Sequence, residues 1–255
     1  MLSGGGVSVC AEDKISTDRP DFLTAPDVVG KGRFQIETGV QVQRGDAAGN
    51  TRTRTVTTPT LLRLGMTDKI ELRLETEGRV HTRETDLTTQ TTVYAHGYAD
   101  AAIGIKWNTH EGNAKTGMPS VGWVFQAALP SGSRAFRGNG VRPTVLGAFD
   151  WELPADMALS AIAGLTYDHV DPEGRFVSGM LGAGLSKGLN GRLTIAAEIV
   201  AQQIARKKYG GNVAIADVST TYLLRENVQV DALVGRGLTD ESPKYLFTVG
   251  ISARF

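Results

Sequence analysis

The stretch Tyr245-Leu-Phe-Thr-Val-Gly-Ile-Ser-Ala-Arg-Phe255 decides how the rest of the chain is read. With a period of two, Tyr245, Phe247, Val249, Ile251, Ala253 and Phe255 fall on one side, and Leu246, Thr248, Gly250, Ser252 and Arg254 on the other. Such alternation belongs to a strand with two unlike faces. The stretch has about the length of a tilted membrane-crossing strand, roughly 9–11 residues, and its last residue is aromatic, as in many bacterial outer-membrane barrels. If it closes a barrel, the upstream sequence should consist of strands of similar length and alternation.

It does. Phe34, Ile36, Thr38, Val40 and Val42 alternate with Arg33, Gln35, Glu37, Gly39, Gln41 and Gln43. Val56, Thr58, Thr60, Leu62 and Leu64 then oppose Thr55, Thr57, Pro59, Leu61 and Arg63. Most plainly, Ile70, Leu72, Leu74 and Thr76 oppose Glu71, Arg73, Glu75 and Glu77. Further strands are expected at 98–107, 121–129, 142–151, 158–167, 175–185, 193–201, 213–224 and 228–234, before the closing one. The total is about twelve, an even number as single-chain bacterial barrels require. Short Gly-, Asn- or Asp-bearing turns at 65–69, 153–156, 187–191 and 225–227 largely take turns with longer polar stretches at 44–52, 80–96, 131–140, 169–174, 205–212 and 235–244. That rhythm matches short periplasmic turns and longer extracellular loops. The connector 108–119 is longer than its place in the rhythm predicts. Leu193, Ala196, Ala197, Val200 and Ile204 also fit helical spacing; only the strand count favours a strand there.

Composition is compatible with this reading. The chain has 255 residues, 41% hydrophobic and 21% charged, with a slightly negative mean hydropathy. No run of about 18 apolar residues suggests a spanning helix, and the low average does not exclude a barrel, whose inward polar residues cancel its outward apolar ones. Zero net charge gives no support for a nucleic-acid partner. The single cysteine, Cys10, rules out an intrachain disulfide and a cysteine-based metal cluster. Residues 1–13 read as a residual or truncated signal peptide, or a disordered start, because Val9-Cys10-Ala11 resembles the small-residue end of an export signal while a basic start and full apolar core are missing. The rest, 14–255, is one barrel domain, opened by a non-periodic periplasmic segment, 14–30, in which Pro20 and Pro26 oppose helix.

Several signatures together resemble the outer-membrane β-barrel family named for the MetA-pathway of phenol degradation. They are Asp18-Arg-Pro-Asp21, Gly32-Arg-Phe-Gln-Ile-Glu-Thr-Gly39, Leu62-Arg-Leu-Gly-Met-Thr-Asp-Lys-Ile-Glu-Leu-Arg-Leu74, Ile103-Gly-Ile-Lys-Trp107, Asn227-Val-Gln-Val-Asp231 and Gly250-Ile-Ser-Ala-Arg-Phe255. The similarity begins near Ser16 and runs to the end. It implies an all-β transmembrane antiparallel barrel in a Gram-negative outer membrane, of a transporter-like kind.

The alternation directs Glu37, Arg63, Glu71, Arg73, Glu75, Glu77, Asp100, Lys106, Arg142, Asp150, Glu198, Asp217, Asp231 and Arg254 inward. Ionised groups are costly against lipid, so they must line water or pair with one another. They either border a narrow aqueous path and bias its selectivity or form a salt-bridged filling. Asp18 and Arg19 precede the first strand, and Arg19 is expected to reach an inward carboxylate from a segment lying in or across the periplasmic mouth. The aromatics Trp107, Trp123, Phe149, Trp151, Tyr167, Tyr222, Tyr245 and Phe255 are expected outward near strand ends, as interfacial girdles.

Catalytic chemistry finds no foothold. His81, His96, His110 and His169 are expected in loops or turns, and no nucleophile elbow, metal-protease pattern or phosphate-binding glycine loop occurs. No cofactor or metal is expected, and a lipid hydrolase would lack a nameable nucleophile and base. The expected partners are outer-membrane lipid, a small solute (hydrophobic or aromatic by resemblance alone) and the barrel-assembly machinery through the strand ending at Phe255. The expected function is passive passage of that solute; the alternative is a closed structural or loop-displaying barrel.

Overall fold

The computed structural model describes residues 14–47 and 50–255; the expected export signal in 1–13 lies outside them. Within these residues fifteen strand segments form one antiparallel sheet. They are β1 Phe34–Ala47, β2 Thr51–Thr57, β3 Thr60–Gly65, β4 Ile70–Thr76, β5 Arg79–Asp86, β6 Thr92–Tyr98, β7 Ala101–His110 and β8 Ser120–Leu129. The others are β9 Arg142–Leu153, β10 Met157–Val170, β11 Gly174–Gly188, β12 Leu193–Ile204, β13 Val213–Arg225, β14 Val228–Gly237 and β15 Tyr245–Arg254. The last pairs with the first over ten residues, from Gln35 opposite Arg254 to Arg44 opposite Tyr245, so the sheet is a closed ring.

Fifteen segments make twelve wall strands because three strands are interrupted. β2 and β3 are separated at Thr58-Pro59, β4 and β5 at Glu77-Gly78, and β6 and β7 at Ala99-Asp100. Proline has no N–H to give a ladder and glycine accepts a backbone bend; Gly78 has φ 64°. Bonds from Gly39 N–H to Pro59 O, Thr58 N–H to Glu77 O and Ala99 N–H to Gly78 O carry the wall across the line of breaks. β1 pairs with β3 on the terminal side of this line and with β2 beyond it. β6 has β5 on one side; on the other, Ser133 donates to Tyr98 O and receives the Tyr98 N–H, so loop 130–141 stands in for a strand.

One local expectation is met and two need correction. Residues 193–204 are strand throughout, as the strand count required, opposite Gly188 to Gly179 on one side and Val213 to Tyr222 on the other; ladder bonds override the helix propensity of the stretch. The polar stretches 44–52 and 80–96 are largely strand, drawn into the β1–β2 and β5–β6 hairpins, because Thr- and Arg-rich sequence suits strands once their outward face leaves the membrane. The four histidines therefore lie in β5, β6, β7 and β10 rather than in loops. His81 and His96 are opposite each other, with stacked rings 6.1 Å apart. The long connector 108–119 is itself a small hairpin with an Asn113–Met118 bridge.

The apolar face is outside. Leu165, Val177, Leu181, Ile199, Val218, Val234 and Val249 are each 54–60% exposed, and a continuous band of this kind is a membrane surface rather than a soluble one. Trp107 and Trp123 are opposite each other on the outside, and Trp123, Phe149 and Trp151 continue as ring contacts at 6.4 and 6.3 Å. They form a girdle at the end where β1 begins and β15 finishes, the end of the short turns and so the periplasmic one. Tyr167, Tyr222, Tyr245 and Phe255 are exposed as well.

Position 249 measures this orientation. Val249→Arg should destabilise the barrel by about 2–4 kcal/mol if it meets mid-bilayer lipid, whereas Gln41→Arg, facing the lumen, should change stability little. Urea unfolding in liposomes compares the two, and equal losses would overturn the assignment of faces. Ser252 is a poor lumen control because its side chain is fully enclosed.

Candidate functional site: a charged lumen filled by the N-terminal segment

Residues 14–33 lie inside the terminal half of the ring. Ile15 N–H bonds Glu226 O at one periplasmic turn, and Gly32 N–H bonds Gly65 O at another. Between them the chain rises into the lumen and returns. Its polar side chains meet the inward residues of β1, β3, β4, β7, β12 and β14.

Arg63 has no exposed surface and is the hub. Its Nε and Nη2 donate to Glu71 at 2.9 and 3.0 Å, its Nη1 to Glu37 at 2.9 Å, and further donations reach Ser16 O and Asp27 O. Arg73, directly opposite Arg63, donates to Asp18 at 2.7 Å and to Glu71 at 3.0 Å. Lys106 donates to both Asp18 oxygens at 2.9 and 3.0 Å and to Ala25 O. Burial alone would push Asp18 up, but Lys106, Arg73 and Arg63 outweigh it and hold its carboxyl well below the ordinary 3.8. Glu37 also accepts the backbone N–H groups of Asp18 and Arg19. Hydrogen-bonded pairing on every side is what makes full burial of such charges tolerable.

A second anchor crosses the seam. Arg19 donates to Asp231 at 3.0 Å and to Thr248. A Cβ on Gly39 or Gly250, which face each other across the β1–β15 seam, would fall on its guanidinium. Beside it, Leu23 sits where Gly182 and Gly184 leave room, against Ile162 and Val200.

The third group is acidic. Asp21, Glu198 and Asp217 have carboxylate oxygens within 4.8 Å of one another. Glu198 accepts the N–H groups of Phe22 and Leu23; both Asp217 oxygens are buried without a hydrogen-bond donor among the described residues. Burial pushes Asp21 up to about 6, with Ser219 opposing and Asp231 adding to the shift. Three oxygens so placed could hold one hard cation or share protons.

The remaining inward candidates are dispersed. Glu75 and Glu77 border a cavity above the segment; Asp150 borders one below it. Arg254 lies at the periplasmic end and reaches Lys14 O at 3.4 Å. Asp100 and Arg142 form a separate pair at 2.7 Å, and Asp100 also accepts the N–H groups of Gly132 and Gly138; they pin loop 130–141 rather than join the central network. Sequence reasoning missed Gln35 and Gln229 as partners of the segment, and Asp27 within it. Gln229 donates to the Thr17 hydroxyl at 2.7 Å; its inward place in β14, next to Asp231, was the available signal.

The segment divides the interior. Below it a cavity of about 290 Å³ is bordered by Ser16, Arg19, Asp21, Asp150, Glu198 and Gln229. Above it a second, of about 280 Å³, is bordered by Arg19, Phe22, Glu37, Glu75, Glu77 and Met180. Arg19 and Asp21 touch both.

Among solved structures, the fold is similar to the COG4313 outer membrane channel from Pseudomonas putida F1, at 12% identity and a TM-score of 0.61 over 90% of this chain and 97% of that one. The β domain of the Bordetella autotransporter BrkA is similar at 12% identity and 0.56, over 89% and 100%. The NanC porin is similar at 10% identity and 0.52, over 86% and 98%. The shared feature at such identities is the fold, a closed outer-membrane β-barrel. No curated protein matches in sequence. A family profile matches residues 17–255, nearly the whole barrel together with the segment inside it, and the chain therefore belongs to the family described as "Putative MetA-pathway of phenol degradation".

Proposed function

We propose that this barrel is a passive outer-membrane channel whose axial path is controlled by residues 14–33. The observation that carries the proposal is the partition: two cavities, one below and one above the segment, share Arg19, Asp21 and Thr24 of that segment as lining. Each is at the small end of ligand-sized cavities, about 300–1,000 Å³, so the solute is small. The upper cavity sets Phe22, Leu146 and Met180 against Glu37, Glu75 and Glu77. An apolar wall facing a polar one suits a compact aromatic ring carrying one polar group. The kinship with a family described by phenol degradation and the fold shared with an outer membrane channel support the same reading. No energy source or cofactor is required, since diffusion follows the gradient once the segment shifts.

The closed structural barrel is the rival, favoured by the complete burial of Arg63, Glu37, Glu71 and Lys106. Planar-bilayer recordings separate the two. Removing residues 15–27 should raise single-channel conductance several-fold. In a Cys10→Ser background, Thr17→Cys with Gln229→Cys, joined by a short thiol cross-linker, should abolish solute-driven swelling of liposomes. Swelling that is untouched by the cross-link, or absent in every form, would remove the segment from any path.

A pH dependence follows from Asp21, which faces Glu198 on β12, Asp217 and Ser219 on β13 and Asp231 on β14. Its folded value, about 6, is raised above the ordinary 3.8, so its contribution to seating the segment is complete below 3.8 and is lost as pH rises through about 6. Asp18 has the opposite sign: its contribution is present above 3.8 and is lost only as pH falls through its depressed value. Open probability should therefore rise between pH 5 and 7, and Asp21→Asn should flatten that rise. A variant with the wild-type profile would show that another group sets it.

A further inference from the structure

The outside of the barrel carries a line of like charges that the channel reading does not use. The register places Arg236 opposite Tyr245, Tyr245 opposite Arg44, Arg44 opposite Arg54, Arg54 opposite Arg83 and Arg83 opposite Tyr94. The line crosses β14, β15, β1, β2, β5 and β6, and its four arginines are exposed. Two residues nearer the periplasm on successive strands, the same outward face bears Val234, Phe247, Val42, Val56 and His81. The arginines thus begin where the apolar belt ends, on the side away from the short turns, which is the outer leaflet.

Side chains directly opposite on neighbouring strands have Cβ atoms about 4.5–5.5 Å apart, and like charges there are destabilising. The lumen contains such a pair of cations, Arg63 opposite Arg73, and surrounds it with Asp18, Glu37 and Glu71. On the outer face nothing comparable is supplied. Among the described residues, the ion pairs include none of Arg44, Arg54, Arg83 and Arg236. Asp46, on the same face beyond Arg44 and opposite Arg52, is already bound by Lys244. Tyr245 stands within the line and Tyr94 ends it, with the Arg236 and Arg83 guanidinium carbons 6.0 and 5.9 Å from their ring centres.

We propose that Arg44, Arg54 and Arg83, with Arg236, bind the phosphorylated headgroup of an outer-leaflet glycolipid. Guanidinium forks match phosphate oxygens in bidentate fashion, and one phosphate between two arginines converts a repulsive neighbourhood into an attractive one. Charge complementarity names a phosphate. The apolar residues directly beneath the line name a lipid, because acyl chains attached to that headgroup would run down over Val42, Val56 and Phe247. A free phosphate would use the arginines alone.

The test uses the whole barrel in detergent, with bisphosphorylated lipid A, its dephosphorylated form and inorganic phosphate as probes, read by native mass spectrometry and competition. The wild type should retain bisphosphorylated lipid A at least tenfold better than either other probe. The triple variant Arg44→Gln, Arg54→Gln, Arg83→Gln should lose that preference, with heat-modifiable gel migration reporting its folding. If it fails to fold, Arg54→Gln alone, at the centre of the line, should weaken retention several-fold. A loop variant with equal charge loss, Arg206→Gln, Lys207→Gln, Lys208→Gln, should retain the lipid as the wild type does. Equal retention of the dephosphorylated lipid, unchanged retention by the row variants, or equal loss in the loop variant would overturn the proposal. Inorganic phosphate binding as tightly as the lipid would overturn the lipid as occupant.

Discussion

The structure depends on the need to neutralise Arg63. A guanidinium without any exposed surface stands inside a cylinder whose outer wall is lipid-facing. Ordinary packing cannot compensate for such a charge; only opposite charges with good geometry can. Glu37 and Glu71 come from the adjoining strands, but Arg73 and Lys106 add two more cations at the same level. The missing negative charge arrives from outside the wall, as Asp18. The N-terminal segment is consequently a component of the electrostatics of the barrel, and the wall and its filling determine each other.

The same segment acts on the seam. Ring closure between β1 and β15 rests on ladder bonds and on the Phe34–Phe255 ring contact, 6.4 Å between centres. Arg19 presses against Gly39 and Gly250 and is tied to Asp231 and Thr248. It thereby joins the inner faces of the first, penultimate and last wall strands. Glycines that look merely permissive in the sequence are, at these two positions, the space into which a cation fits.

Much of this was legible from residue order. The charged alternation of Glu71, Arg73, Glu75 and Glu77 against Ile70, Leu72 and Leu74 gives two unlike faces, and its recurrence along about twelve segments of membrane-crossing length assigns them to lumen and lipid, since a single such strand would suit a soluble sheet equally well. Strand number followed from the turn rhythm. The three interrupted strands did not, although Pro59 and Gly78 mark two of the breaks: a bend in one strand is local chemistry, whereas alignment of three bends is a property of register. The extent of β2, β5 and β6 was hidden for a related reason. Their outward faces carry Arg, His and Thr, which read as loop when an apolar side is the only accepted sign of a strand. Within the site, inward direction could be read for each charged residue, but Asp100 and Arg142 could not be separated from the central group, since they differ from it in height rather than in face. The filling of the lumen by residues 14–33 left only Asp18 and Arg19 as traces.

The path of that filling has a topological consequence. It enters beside the Glu226 turn, through the bond from Ile15, and leaves beside Gly65, through the bond from Gly32, so both of its ends are at one rim. A bight of this form has no free tip beyond the constriction and is not threaded through anything. It can be drawn out and reinserted without parting a single pair of wall strands. Withdrawal therefore proceeds toward one compartment only, the periplasm, where both anchoring bonds lie.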